Sequence, residues 1–110
     1  MQERVLELVV YRLQEGVSRE DFLGTNGAVN TWIGNQPGFI SRDLVHDSDG
    51  DRWVDVIWWE TLEQAHAASE KAMTSESCLP MFSQIDEQST LMLHGVPATE
   101  TVTAVTPLEV

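Results

Sequence analysis

A histidine, an aspartate and several aromatic residues are of the types that could bind a flat organic molecule and remove a proton from it. Asp55 lies between apolar residues, Trp58 and Trp59 follow it closely, and His66 comes soon afterwards. Imidazole titrates near neutral pH and can serve as a general base. We therefore take His66 as the candidate catalytic residue, and Asp55, Trp58 and Trp59 as candidate ligand-binding residues.

Each polar candidate also has a purely structural interpretation. His66 could be a partly exposed helix residue beside two glutamates. Asp55 would be costly to bury unless it is paired, and a salt bridge to Arg42 or Arg4 would satisfy it. Glu7 also lies within an apolar segment, so its burial would likewise require a salt bridge. A carboxyl group that stays buried and unpaired has a raised pKa, which makes it a candidate base.

The aromatic residues can form either the wall of a binding site or ordinary packing. Three of the four tryptophans lie between Trp53 and Trp59, in a segment typical of a strand. Side chains alternate between the two faces of a strand, so Trp53 and Trp59 share one face and Trp58 points to the other. The three cannot all face one pocket. Tyr11 and Trp32 complete the set of candidate ligand-binding residues.

No pattern in the sequence predicts a metal or cofactor site. The acidic segment from Asp47 to Asp51 fails as a calcium loop, because the positions that require glycine and glutamate hold Arg52 and Trp58. A hairpin turn explains it. Paired zinc ligands, a phosphate-binding glycine loop and a nucleophile elbow are also missing from the sequence. We therefore predict a protein that needs no cofactor.

Charge and length exclude several classes of function. The 110 residues include 18 Asp and Glu against 6 Lys and Arg, a formal net charge of −12. Such a chain would be repelled by a phosphate backbone or an anionic membrane surface. The sequence shows neither a bilayer-spanning apolar run nor a signal peptide, and a single cysteine, Cys78, cannot form an internal disulfide. We predict one cytoplasmic domain that binds neither nucleic acid nor membranes.

The order of predicted elements indicates the fold. We expect strands at about residues 4–13, 39–46, 52–59 and 87–95, helices at about 19–34 and 62–73, and a short helix at 76–85 that is broken near Pro80. Gly24 and Gly27 predict a kink in the first helix. The result is an α+β, ferredoxin-like βαββαβ arrangement, with a four-stranded antiparallel sheet and the helices on one face.

The uncovered face of this sheet predicts a partner. Apolar residues occur on both faces of the strands, and an exposed apolar face is typical of an interface. A second copy, packed sheet to sheet, would close a barrel-like homodimer. We place the domain at residues 1–97 and a C-terminal tail at 98–110. Residues 100–105 could add a strand to the partner's sheet, and a disordered end is the alternative.

Three segments mark a known fold family. They are Pro37-Gly38-Phe39 after the first helix, Val54-Asp55-Val56 in the third strand, and Trp59-Glu60-Thr61 before an alanine-rich helix. Over about residues 3–95 the chain resembles the antibiotic-biosynthesis monooxygenase family of dimeric α/β barrels. The resemblance implies a homodimer with a ligand-sized cavity between sheet and helices. It also implies an activity like that of cofactor-independent monooxygenases, which act on small aromatic or quinone-like compounds.

Other functions remain open beside this one. A non-catalytic homodimer, with a ligand-binding or structural role, is the main alternative. Heme-degrading members of the family use an Asn, a Trp and a His, and the corresponding positions here hold approximately Tyr11, Ala68 and Cys78. None matches, so we do not expect heme degradation. In the oxygenase interpretation His66 is the base, Tyr11 and Trp59 form cavity walls, and a small aromatic molecule is the ligand.

Overall fold

The strands and helices follow one another in the order that the sequence predicts. The computed structural model describes residues 3–105 of the chain. Its elements are β1 (Val5–Leu13), α1 (Arg19–Gly24), α2 (Asn26–Gly34), β2 (Phe39–Asp47), β3 (Arg52–Trp59), α3 (Leu62–Ala72), α4 (Leu79–Phe82) and β4 (Ile85–Gly95). The four strands form one antiparallel sheet in the order β2-β3-β1-β4. The predicted ferredoxin-like α+β fold is confirmed.

The first predicted helix is divided in two at Thr25. Ser18 caps α1 by accepting a hydrogen bond from the backbone N–H of Asp21 at 3.0 Å. Thr25 ends α1, and its hydroxyl donates to the Phe22 carbonyl at 2.6 Å. Helix α2 begins at the next residue. The nearby glycines, which weaken a helix, explain why the predicted kink falls at this point.

Helix α3 approaches the sheet closely because its inner face carries small side chains. Thr61 caps the helix by accepting a hydrogen bond from the backbone N–H of Gln64 at 3.1 Å. Ala65 and Ala68 are almost completely buried and share a cluster with Trp59 of β3. The alanines of the predicted alanine-rich helix thus form its inner face.

The helix predicted over residues 76–85 is shorter than expected. Only Leu79–Phe82 is helical, and Pro80 lies in its first turn, where a backbone N–H has no partner within the helix. The chain leaves the helix early because Ile85 already pairs with Leu13 in the sheet. Strand β4 therefore begins at Ile85 rather than at residue 87. None of the described helices is long and apolar enough to cross a membrane.

The two faces of the sheet differ as strand alternation predicts. The inner face, which packs against the helices, carries the buried residues Val5, Glu7, Tyr11, Trp53, Asp55, Ile57 and Trp59. The outer face carries the half-buried or exposed residues Leu6, Leu8, Val10, Val54, Val56, Trp58, Leu91 and Leu93. No helix among residues 3–105 covers the outer face, so a large apolar surface is left in contact with solvent.

Residues 98–105 of the C-terminal tail do not join the sheet of their own chain. Residues 98–105 form neither helix nor strand, although Arg4 donates a hydrogen bond to Thr101 Oγ1 at 2.8 Å. Val102 and Val105 are almost fully exposed. Strand addition to a partner stays a prediction, and residues 106–110 of the tail lie outside the described range.

Candidate functional site

A cavity of about 430 Å³ lies between the inner face of the sheet and the helices. Most of its wall is apolar, with contributions from Val9, Val29, Trp32, Ile33, Ile57, Trp59, Ala68 and Ala72. The charged residues of the wall are Glu7, Arg42, Asp55, Glu70 and Glu87. The lining residues that are exposed, and so mark the entrance, are Glu70, Met73, Glu87, Thr90 and Met92. A cavity of this size and composition is typical of a small-molecule site.

Arg42 and Asp55 form a buried ion pair in the cavity wall. Arg42 Nε lies 2.6 Å from Asp55 Oδ1 and Nη2 lies 3.2 Å from Oδ2. The side chains are only 4% and 13% exposed. Of the two arginines that the sequence offered as partners, Arg42 is the one that pairs, because β2 and β3 are adjacent. Arg4 instead lies over the Trp58 ring on the outer face. Asp55 is therefore not available as a free base.

Further contacts hold the Arg42 guanidinium in position. Its Nη1 donates to Asn26 Oδ1 at 2.6 Å and to Asn30 Oδ1 at 2.7 Å, both on α2. On the other side of the pair, the Tyr11 hydroxyl donates to Asp55 Oδ2 at 3.4 Å. Burial, with the nearby Asp55 charge, raises the pKa of Tyr11 well above its ordinary value, so the phenol stays neutral. The network links α2 to the sheet and forms a fixed polar part of the wall.

Glu7 is the second buried carboxyl group of the wall. It is the third residue of β1, its side chain is 9% exposed, and its Oε1 is 3.2 Å from His94 Nε2 on β4. The antiparallel register places these two residues directly opposite each other. Burial raises the pKa of Glu7, and the bond to His94 offsets part of that effect. A carboxyl group with a raised pKa in a mostly apolar cavity is suited to accept a proton.

The Trp59 indole places a hydrogen-bond donor beside Glu7. Its Nε1 is buried and makes no hydrogen bond of normal geometry with any of the residues 3–105. The N–H is nevertheless close enough to favour the charged form of Glu7 and so to lower its pKa slightly. Buried N–H groups usually have partners, and this one can bind an acceptor on a ligand. The wall thus offers a donor and a proton acceptor side by side.

Three of the six residues predicted for the site lie in the cavity wall. They are Trp32, Asp55 and Trp59. Tyr11 does not line the cavity and contacts Asp55 from within the core. Trp58 points to the outer face of the sheet, because it has the opposite strand parity from Trp59.

His66, the expected base, lies outside the cavity wall. It is exposed on α3. Its ring packs edge to face against the His94 ring, with the centroids 4.9 Å apart and the planes at 85°.

Neither Glu7 nor His94 was among the site residues predicted from the sequence, although Glu7 was recognised as a carboxyl group within an apolar strand. Glu7 was recognisable, because it shares strand parity with Val5 and Tyr11 and so falls on the covered face. No local signal marks His94. Its contact with Glu7 depends on the pairing of two strands from opposite ends of the domain.

Cys78 contributes a buried thiol to the same wall. It is fully buried. Burial raises the pKa of the thiol, and a hydrogen bond with Ser75 offsets part of the shift. A neutral thiol is a weak nucleophile, so we assign Cys78 a packing role.

No protein-family model and no curated protein sequence matches this chain. Solved structures do match it. SnoaB, a cofactor-independent oxygenase from Streptomyces nogalater, is 17% identical, with 96% of this chain and 99% of that chain covered and a TM-score of 0.60. A candidate antibiotic biosynthesis monooxygenase from Bordetella bronchiseptica is 16% identical, with coverages of 92% and 100% and a TM-score of 0.69. A hydroxynitrile lyase from Passiflora edulis is 13% identical, with coverages of 94% and 100% and a TM-score of 0.66.

At these identities the likeness establishes the fold and leaves the activity open. The match extends over nearly the whole chain in each case. It includes the arrangement of sheet and helices. The protein therefore has the fold of the antibiotic-biosynthesis monooxygenase structures, as the sequence resemblance implied.

Proposed function

We propose that the protein is a cofactor-independent monooxygenase for a small, uncharged aromatic hydroxy compound, with Glu7 as its catalytic base. The observation that carries the proposal is the buried Glu7 carboxyl group in a mostly apolar cavity, 3.2 Å from His94. Glu7 takes the role that the sequence assigned to His66, because Glu7 faces the cavity and His66 does not.

The chemistry requires a base and a site from which water is largely excluded. Glu7 removes the phenolic proton and leaves a phenolate, which O₂ can oxidise. One oxygen atom bonds to a ring carbon, and the hydroperoxide formed there loses water to leave a quinone carbonyl. Phenol and O₂ thus give quinone and water, and the ring supplies the electrons that reduce O₂.

Other residues in the cavity wall and behind it bind the substrate or hold the cavity in shape. The buried Trp59 N–H, which lies beside Glu7 and makes no hydrogen bond of normal geometry within residues 3–105, binds the phenolate oxygen, where negative charge develops. Trp32 covers the ring of the substrate, and the Arg42–Asp55 pair keeps one side of the cavity in a fixed shape. Tyr11 supports Asp55 from behind.

The matching structures include an oxygenase, which supports this reaction class, but they also include an enzyme of another class. SnoaB is a cofactor-independent oxygenase, whereas the Passiflora edulis protein is a hydroxynitrile lyase. Assays must therefore distinguish oxygenation from other chemistry in the same cavity.

We further propose that the functional unit is a homodimer formed through the outer face of the sheet. That face presents a continuous apolar surface from Leu8, Val56 and Leu93, which pair across neighbouring strands. Apolar patches of this kind are typical of protein interfaces. A second copy is the simplest partner, because a twofold axis brings the same surface of both copies together.

Oxygen uptake with a panel of dihydroxy-aromatic compounds tests the activity. We expect uptake of one O₂ per quinone formed without release of hydrogen peroxide, because simple oxidation of a diol to its quinone would release peroxide whereas the proposed oxygenation releases water. We also expect a loss of at least about 100-fold in kcat for Glu7→Gln. Glu63→Gln is the matched control, because it removes an exposed carboxylate from the start of α3. Equal rates in the wild type and Glu7→Gln would rule out Glu7 as the base.

Two other outcomes would support different functions. Saturable quenching of tryptophan fluorescence by aromatic ligands, without turnover, would favour the non-catalytic binding protein. Consumption of the aromatic compound without oxygen uptake would indicate a different reaction class.

Sedimentation tests the dimer. Val56→Glu, on the outer face, should yield monomers, since a buried unpaired charge is costly at an interface. Leu62→Glu, at an exposed position on α3, should leave the oligomeric state unchanged. A wild-type protein that sediments as a monomer would contradict the proposal.

A further inference from the structure

We propose that His94 and His66 form a proton path from Glu7 to solvent, an inference that rests on the proposed role of Glu7. Glu7 lines the cavity, His94 lies beside it on β4, and His66 is exposed on α3. The three side chains connect the interior of the site with bulk water in two steps. His94 and His66 act through Glu7 and do not touch the substrate.

A base inside a cavity must release its proton before the next turnover. Asp55 lies close enough to raise the pKa of Glu7, but it is held by Arg42. The Trp59 indole can only donate. Among residues 3–105, His94 is therefore the one hydrogen-bond partner of Glu7 that can accept a proton.

The first step crosses a single hydrogen bond. Glu7 Oε1 and His94 Nε2 are 3.2 Å apart, and their side chains are 9% and 17% exposed. Both residues lie on the inner face, at opposed positions of β1 and β4. The strand pairing thus fixes the distance between them.

The second step leads out of the core. An imidazole that accepts a proton at Nε2 can release one from Nδ1. The His66 ring lies against that of His94, with a centroid distance of 4.9 Å. The two rings are in edge-to-face contact without a hydrogen bond between them, so one water that bridges their nitrogen atoms completes the connection. Because His66 is exposed, buffer can collect the proton there.

Histidine NMR without any substrate tests the path independently of the activity. The chain has three histidines, so single His→Gln variants assign every imidazole signal. We expect the His94 and His66 signals to respond to the titration of Glu7, and Glu7→Gln to remove that response. His46, which contacts Arg19 and Asp51 instead, should not respond. A His66 signal that is insensitive to Glu7 would overturn the path, whatever the activity.

Turnover in dilute and concentrated buffer provides the second test. His94→Gln should lower kcat at least tenfold, with partial rescue by added imidazole. His66→Gln should lower kcat in dilute buffer alone, and His46→Gln should have no effect. Full turnover by both path variants in dilute buffer would contradict the proposal. If the wild type oxidises no compound, the proposed function fails, and the NMR result alone decides about the path. Because His66 is exposed, its variant should fold even if His94→Gln does not.

Discussion

The Arg42 guanidinium and the Asp55 carboxylate form two hydrogen bonds between neighbouring strands, at 2.6 and 3.2 Å. A buried pair of this kind adds little stability compared with apolar residues, but the loss of one partner leaves an unpaired buried charge. Each residue therefore depends on the other, and together they fix one side of the cavity.

Removal of Asp55 should destabilise the protein strongly. We expect Asp55→Ala to lower the free energy of unfolding by about 3–5 kcal/mol, because Arg42 would remain buried without a counter-ion. The measurement is urea unfolding at one fixed protein concentration. Asp43→Ala, at an exposed position next to Arg42, is the control and should change stability by no more than about 0.5 kcal/mol. The combined replacement Arg42→Met and Asp55→Leu should recover part of the loss, and failure to do so would show that the charge is not the cause.

Glu7 should make the protein less stable as the pH rises. Its pKa in the folded state is raised by burial, so the folded state binds more protons than the unfolded state. Stability therefore falls as pH increases from the ordinary glutamate value through the folded pKa. Glu7→Gln should flatten this part of the stability profile and be more stable than the wild type at neutral pH. Thermal unfolding across the pH range measures the effect, and a profile that keeps its slope in the variant would contradict it.

Gly38 should be intolerant of a side chain. Its φ is +82°, and an added Cβ would lie 2.0 Å from Gln64 Oε1 and 2.9 Å from Gln64 Cβ. Gly38→Ala should cost more than about 1 kcal/mol in unfolding free energy. Gly27→Ala is the comparison, because nothing lies within 4 Å of its added Cβ and alanine favours helix by about 0.5–1 kcal/mol. Equal stability of the two variants would show that this turn tolerates a side chain.

The cavity should bind uncharged ligands better than anionic ones. Glu7, Asp55, Glu70 and Glu87 line it, against the single cation Arg42. A phenol should bind at least about tenfold more tightly than the same ring carrying a carboxylate, a difference of about 1.4 kcal/mol. Quenching of tryptophan fluorescence measures both affinities. Glu87→Gln should reduce the difference in affinity between the two ligands. Tighter binding of the carboxylate than of the phenol would contradict the electrostatic argument.

Local patterns were sufficient to predict the order of elements, the kink near Thr25 and the division of the sheet into two faces. Each depends on residues close in sequence: a cap, a pair of glycines, or the alternation of side chains along one strand. The same alternation placed Trp53 and Trp59 on one face and Trp58 on the other. The sequence also offered the correct partner for Asp55, although it could not choose between two arginines.

Which polar groups meet depends on contacts between elements that are distant in sequence. Glu7 and His94 are joined because β1 and β4 pair in one register, and a shift of one residue would turn their side chains to opposite faces. His66 reaches His94 because α3 packs over the same end of the sheet. Residue types and local patterns alone showed that carboxyl groups and histidines lie on strands and helices of this fold. Long-range strand pairing and helix packing, which no local pattern encodes, determined that three of them lie in contact beside a cavity.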